Sequence, residues 1–290
     1  MKTLTHLRNR TEHSYRSATG KLESVVSLQQ GKAAGITDRN GTWGHARWSA
    51  ECKANGIKPI LGVELAVVED MDLREKQPAN YMSFLAANNK GLQEIYELTT
   101  LSTEKFYYVP RIDYGFLEDV CKTGNVLALS GNAPRTDLIP AKMKNFFFEL
   151  NQLTPPDLLA WAQGRNHQIV ATCDNLYPRP EDKGAYEIIL GSLRNTRAVG
   201  SHILDYWEWI HQWPGFDKAV ALAESLAEGC NASLPEAEMV HPKVSQTLEQ
   251  MCIAGAKKRK IDIKRKAYKD RLRKELDLIK EKKFEDYFFV

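Results

Sequence analysis

Long apolar runs are missing from this chain of 290 residues. The longest are a few residues, far short of the roughly 20 that a bilayer-spanning helix needs. None follows a basic start at the N-terminus, so neither a membrane span nor a signal peptide is expected. Cysteine is scarce. There are five, an odd count, and no two lie within four positions of each other. That spacing excludes a zinc ribbon and a disulfide framework, and a reducing, cytoplasmic compartment is the simplest reading. Histidine is sparse too. His6, His13, His45, His167, His202, His211 and His241 form no HxH or HxxxH pair, and they read as surface or helix histidines. No internal repeat and no low-complexity tract occurs.

What is present suits a folded core. Apolar residues make up 43% and charged residues 27%, ordinary values for a globular chain. The length admits one large α/β barrel or two ordinary domains, without a disulfide or metal staple. The net charge of +3 is unevenly placed. Lys243–Val290 holds 15 basic and 8 acidic residues, and the remainder holds 25 and 29. A basic annex therefore follows a slightly acidic body, an asymmetry seen where a chain meets nucleic acid or an acidic partner, and also on solvated helix faces.

The body alternates between two periodicities. Apolar, β-rich runs at Ala33–Thr37, Ile60–Val68, Met82–Ala87, Val126–Ser130, Phe146–Leu150 and Ile169–Thr172 predict strands, with Leu4–Leu7 as a further one. Helical spacing predicts helices over Thr42–Asn55 and Lys90–Thr103. Another is expected after Thr154, an N-cap hydroxyl followed by proline. Strands alternating with helices imply a mainly parallel sheet. Past Gly184 the pattern is helical, over Ala185–Asn195, Asp205–Gln212 and Phe216–Cys230. In the annex Tyr268, Leu272, Leu276 and Ile279 form one apolar stripe. Asp38, Glu64 and Asp174 fall at or near strand ends, where parallel barrels place their chemistry. Converging carboxylates ordinarily mean a divalent cation or acid–base work.

Eight motifs in order resemble the N-terminal PHP domain of bacterial replicative polymerases, the alpha subunit of DNA polymerase III. His6-Leu7-Arg8-Asn9-Arg10-Thr11-Glu12-His13-Ser14 is similar to the family's opening H-L-H-V-H-T-E-Y-S. Gly35-Ile36-Thr37-Asp38-Arg39-Asn40 is similar to A-I-T-D-H-G. Gly56-Ile57-Lys58-Pro59-Ile60-Leu61-Gly62-Val63-Glu64 follows G-I-K-P-I-I-G-x-E closely. Leu85–Gly91, Val109–Asp113, Ala128–Gly131 and Val170–Asp174 continue the series, with Arg179–Asp182 in register. The closing Phe284–Phe289 resembles the G-F-x-D-Y-F that opens the palm region. The likeness runs over essentially the whole chain.

The resemblance implies an α/β fold, a PHP-type distorted seven-stranded (βα) barrel over residues 1–240. A helical, basic extension over 241–290 would lead toward a palm domain. Metal-binding relatives hold up to three ions of zinc, manganese or iron there and act as phosphoesterases or proofreading exonucleases, while the palm uses magnesium. Carried over position by position, the ligand set is broken. Arg8, Arg10 and Arg39 stand where the family has histidines, as do Tyr81 and Leu176, and Asn132 stands for a cysteine. Only Asp38, Glu64 and Asp174 of nine ligand positions remain. A guanidinium cannot ligate a metal and stays charged. The expectation is therefore no bound metal, no catalytic residue and no cofactor. A salt-bridge network of the three arginines with the three carboxylates is expected instead.

Neither the nucleotide-binding loop nor the aspartate motif of the family's palm is present, and nucleotide incorporation by this chain alone is not expected. By resemblance, such a PHP domain serves as the docking platform for the separate proofreading exonuclease subunit and other replisome components. Tyr206, Trp207, Trp209 and Trp213 form a candidate partner patch. Lys243–Val290 is a candidate DNA contact. The alternatives are a free-standing, phage-encoded PHP-fold protein that engages replisome partners, and a PHP phosphoesterase or 3'-5' exonuclease.

Overall fold

The computed structural model describes residues 2–139, 143–190, 200–236 and 240–289, with the backbone alone for Leu190. The chain forms two compact units, Met1–Leu234 and Pro235–Val290. The division falls a few residues before the boundary expected from sequence.

The first unit is built on one curled sheet of seven strands. They are β1 (Ala33–Ile36), β2 (Lys58–Val68), β3 (Asn80–Ala86), β4 (Arg111–Asp113), β5 (Val126–Leu129), β6 (Phe146–Leu150) and β7 (Ile169–Ala171). The order is β1-β2-β3-β5-β6-β7, with β4 also pairing β2. The sheet is mixed. β3 runs antiparallel to both β2 and β5, and the other pairings are parallel. The cause is the connection: residues 69–79 carry no helix between β2 and β3, and a parallel return needs a longer crossover. Strand burial is near-continuous rather than alternating, as in a sheet covered on both faces.

Leu4–Leu7 is not a strand. It lies extended beside β1, where Gly35 N donates to His6 O at 2.8 Å and Thr37 N to Asn9 O at 2.8 Å. Gly35 permits this approach, because a Cβ there would collide with the Leu7 carbonyl. The seventh strand is instead β4, three residues too short to carry a periodic signal.

Helices α1 (Leu22–Ser27), α2 (His45–Ala54), α3 (Asn89–Glu104) and α4 (Gly115–Lys122) bury apolar residues in the core cluster that holds Ile36, Val63 and Phe84. Trp48 of α2 is fully buried and donates from Nε1 to Ala34 O at 3.2 Å. Asn88 caps α3 by accepting from Gly91 N at 3.0 Å. Helix α5 (Pro156–Gly164) starts without a side-chain cap. Thr154, expected as its cap, instead turns its Oγ1 to accept from Asn151 N at 2.9 Å. Helix α6 (Lys183–Leu190) is the described part of the helix expected over Ala185–Asn195; residues 191–195 lie outside the described residues.

Helices α7 (Tyr206–Gln212) and α8 (Asp217–Gly229) complete the unit. Lys58 Nζ donates to the α8 C-terminal carbonyls of Ala227 at 3.1 Å and Glu228 at 2.9 Å, pinning the start of β2 to that helix end.

The second unit contains α9 (Leu248–Lys258) and α10 (Lys266–Glu281). Thr247 and Gln250 form a reciprocal capping box at the start of α9. The predicted stripe on α10 is unevenly used: Leu276 is buried, Leu272 and Ile279 are half-buried, and Tyr268 is exposed. Among the described residues no helix is long and apolar enough to cross a membrane.

Candidate functional site

The site lies along one rim of the sheet. Arg8 and Arg10 come from the extended N-terminal segment, Asp38 and Arg39 follow β1, and Glu64 lies within β2. Asn132 follows β5, and Asp174 follows β7. Tyr81 sits near the N-terminal end of β3, yet reaches the same rim because β3 runs the opposite way.

Glu64 is the hub. It is fully buried, and both oxygens are taken by guanidinium groups. Oε1 accepts from Arg8 Nη2, and from Arg10 Nη2 at 2.5 Å. Oε2 accepts from Arg10 Nε at 3.0 Å and Arg39 Nε at 2.7 Å. Asp174 Oδ1 accepts from Arg10 Nη1, and Oδ2 accepts from Asn132 Nδ2 at 2.6 Å. Arg39 also lies over the Tyr81 ring, 3.8 Å from its centroid.

The electrostatics follow from this contact set. Burial works to raise the Glu64 carboxyl, but the guanidiniums of Arg10, Arg39 and Arg8 outweigh it and hold it well below the usual carboxylate range. Asp174 is likewise lowered against its burial, by Arg10 and Arg8. Arg8 and Arg10 are driven the other way: burial favours their neutral form, yet the surrounding carboxylates raise both.

Two expectations from sequence need correction. Asp38 is not part of the arginine cluster. Its carboxylate accepts from Thr11 N at 2.7 Å, Thr11 Oγ1 at 2.9 Å and Ser14 Oγ at 2.6 Å. With only neutral donors in contact, burial raises its pKa. The third carboxylate of the cluster is Glu149 of β6, which sequence reasoning missed. Its Oε1 lies 3.4 Å from Arg8 Nη1 and its Oε2 accepts from Gly131 N at 2.7 Å. Gly131 has φ +70, and a Cβ there would strike the Tyr81 carbonyl. The signal for Glu149 was available: it is the one charge in the apolar run Phe146–Leu150.

Above this cluster is a cavity of about 330 Å³, walled by Arg16, Arg39, Tyr81, Asn132, Leu176 and Tyr186. Leu176 is nearly buried and offers no donor atom. A metal ion does not fit these residues. Every carboxylate oxygen of Asp38, Glu64 and Asp174 already accepts a hydrogen bond, and three guanidiniums crowd Glu64, two of them also reaching Asp174. Among the described residues no group of three or more His, Cys, Asp or Glu could hold a metal ion.

The other candidates disperse. Trp209 and Tyr206 are buried among Leu150, Ala171 and Cys173, and Trp213 is half-buried. Of the expected partner patch only Trp207 is exposed, at 62%. The cause is helical geometry: Tyr206 and Trp209, three apart, share the buried face, and Trp207, next to one and two from the other, faces away. His6 and His45 are also buried, contrary to expectation for His6. Desolvation lowers His6 to about 4, and it lowers His45 as well.

A curled α/β sheet with a charged cluster along one rim, its hub Glu64 standing inside β2, defines the class. Residues 6–150, half of the chain, match the PHP domain family, and the chain belongs to it. It is homologous over its full length to the PHP region of DNA polymerase III alpha subunits. It is 26% identical to DNA polymerase III subunit alpha of Aquifex aeolicus (strain VF5), over 65% of this chain and 20% of that protein. It is 23% identical to that of Campylobacter jejuni, over 100% of this chain and 31% of that protein. The chain thus spans about a fifth to a third of the length of these relatives. It is also similar to an amidohydrolase from Chromobacterium violaceum, with a TM-score of 0.40 and 12% identity, over 66% of this chain and 99% of that one.

Proposed function

We propose that this chain is the PHP region of a DNA polymerase III alpha-type replicative polymerase. In it the ancestral metal site has become an internal salt bridge, and the module serves structure and docking rather than hydrolysis. The observation that carries this is the replacement itself: Arg8, Arg10 and Arg39 stand at three expected histidine positions and donate to Glu64. A metal centre joins N-terminal segment, β1, β2 and β7 by coordination. Here the same elements are joined by charge-assisted hydrogen bonds, which also neutralise the buried carboxylates. The partner proposed for docking is the separate proofreading exonuclease subunit.

The test has two parts. The purified chain, supplied in turn with zinc, manganese and iron, is assayed against a chromogenic phosphodiester and a 3'-labelled oligonucleotide. No turnover above the metal-only blank is expected, and metal-dependent turnover abolished by Glu64→Gln would overturn the reading. Separately, the chain is titrated with the cognate exonuclease subunit by calorimetry. A saturable one-to-one complex is expected, and no heat of binding would remove the docking role.

A further inference from the structure

Charge at the cavity above the arginine cluster does not sum to zero. Arg8, Arg10 and Arg39 are matched by Glu64, Asp174 and Glu149. Arg16 lines the same cavity, is exposed and makes no ion pair among the described residues. Of the charged side chains in the lining, four are arginines and one, Asp174, is an acid. Asp38, bonded to Thr11 and Ser14, does not line it. One positive charge is thus left over at the mouth.

The two outer arginines are set in place by their surroundings. Arg39 lies flat over the Tyr81 ring, and its Nε is taken by Glu64. Its Nη1 donates to Ser17 Oγ at 3.3 Å, while its Nη2 donates to no described residue. Arg16 sits in a turn in which Ser17 N and Ala18 N both donate to Ser14 O, at 2.8 and 3.1 Å. Ser14 Oγ is in turn fixed on Asp38 at 2.6 Å, so the buried Asp38 anchors the turn that carries Arg16. Beside the mouth, α6 exposes an apolar face. Tyr186 walls the cavity, and Ile189, three residues on and so on the same side of the helix, is 51% exposed. Ala185 and Ile188 continue that face, Ile188 at 81%.

We propose that this cavity takes the carboxylate side chain of a partner protein, presented on a short segment whose aliphatic neighbours cover the exposed face of α6. Charge selects the ligand group. The surplus is a single positive charge, which one carboxylate cancels, whereas a phosphoryl group brings about −1.5 to −2. Arg39 Nη2 and the Arg16 guanidinium are donors of the planar kind that carboxylates prefer. Size and surface select the source. The volume of about 330 Å³ suits one side chain, at the lower limit of roughly 300 Å³ for small-molecule pockets. Contiguous exposed aliphatic side chains beside it have no role for a free anion and are the mark of a protein contact. The inference rests on the cluster being a metal-free salt bridge. It fixes the chemistry of the bound segment and does not depend on an exonuclease subunit being its source.

The test selects a synthetic hexapeptide library with blocked termini on the 290-residue chain and measures the affinity of the best peptide. Enriched peptides are expected to carry Asp or Glu beside an aliphatic residue, and replacing that acid by its amide should abolish binding. Arg16→Gln should weaken the best peptide about tenfold or more, since a charge-assisted bond is lost. Ile189→Ser should weaken it about threefold or more. Both side chains are exposed, so melting temperatures should stay unchanged. Lys90→Gln, which removes one exposed charge on α3, should bind as the native chain does. No enrichment, enrichment without an acid, native affinity in Arg16→Gln, or an equal loss in Lys90→Gln would each overturn the proposal. Displacement of the peptide by inorganic phosphate at lower concentration than by acetate would make this a phosphate site and overturn it as well. Failure here leaves the metal-free reading standing, because the assays with added metals test that separately.

Discussion

Arg10 holds Glu64 side-on. Its Nε donates to Oε2 at 3.0 Å and its Nη2 to Oε1 at 2.5 Å, with neither residue reaching water. This fork ties the extended N-terminal segment to the middle of β2. It also leaves Arg10 Nη1 free for Asp174 beyond β7. One side chain thus spans three parts of the rim.

Glu64→Gln is expected to cost about 3–5 kcal/mol, because it leaves three guanidiniums, two of them buried, facing only Asp174 and Glu149. Asp38→Asn should cost only about 0.5–1.5 kcal/mol, since the amide keeps an oxygen for the Ser14 hydroxyl or Thr11 amide. The two carboxylates occupy equivalent motif positions, so sequence alone would rank them together. Urea unfolding midpoints of the two variants, with unchanged m-values, check the difference.

The acid response carries the same signature. Glu64 and Asp174 titrate below their ordinary range. A group lowered on folding contributes stability that is present above its unfolded value, about 4, and lost as the pH falls through its folded value. Asp38 is raised, so its contribution has the opposite sign: present below about 4 and lost as the pH rises through its folded value. Melting temperatures from pH 7 downward should fall steeply below about 4 in the native chain. They should fall less steeply in Glu64→Gln. An unchanged acid slope in that variant would contradict the assignment.

The strands that carry the rim were legible because each is a compact apolar run, and Asp38, Glu64 and Asp174 were legible because they end or interrupt such runs. What stayed hidden has physical reasons. β4 is a three-residue strand, below the length at which period two can be read. The reversal of β3 depends on a connection lacking a helix, not on the strand's own residues. The exclusion of Asp38 depends on Thr11 and Ser14, whose hydroxyls satisfy it before any arginine can. Burial of Trp209 beside exposed Trp207 is a matter of helix phase, which a seven-residue helix states too briefly to fix.

Arg111 supplies a test away from the charged cluster. It is buried, and its guanidinium donates to the carbonyls of Met71 at 3.0 Å, Leu73 at 2.7 Å and Glu75 at 3.3 Å. These bonds fold the β2–β3 connection back over β4. Arg111→Lys should not substitute, because one ammonium cannot span carbonyls served by a planar fork. Hydrogen exchange in peptides covering residues 69–79 is expected to quicken in both Arg111→Ala and Arg111→Lys. Global stability should drop by about 1–3 kcal/mol in the alanine variant.

Trp207 and Trp209 separate packing from recognition within one helix. Trp209 Nε1 donates to Thr172 O at 3.0 Å and Leu150 O at 3.3 Å, fastening α7 to the ends of β6 and β7 just before Asp174. Trp209→Ala should therefore cost about 3–5 kcal/mol, through the cavity and the loss of the donor to Thr172 O, while Leu150 O keeps the Thr172 amide at 3.0 Å. Trp207 is mostly in solvent, and Trp207→Ala should change stability by no more than about 0.5 kcal/mol. If α7 faces the exonuclease subunit, Trp207→Ala weakens that complex at unchanged melting temperature, a combination that lost packing cannot produce. Calorimetric titration of both variants beside their thermal melts measures the two effects separately. Native affinity in Trp207→Ala would move the docking surface off α7 while leaving the structural role of Trp209 intact.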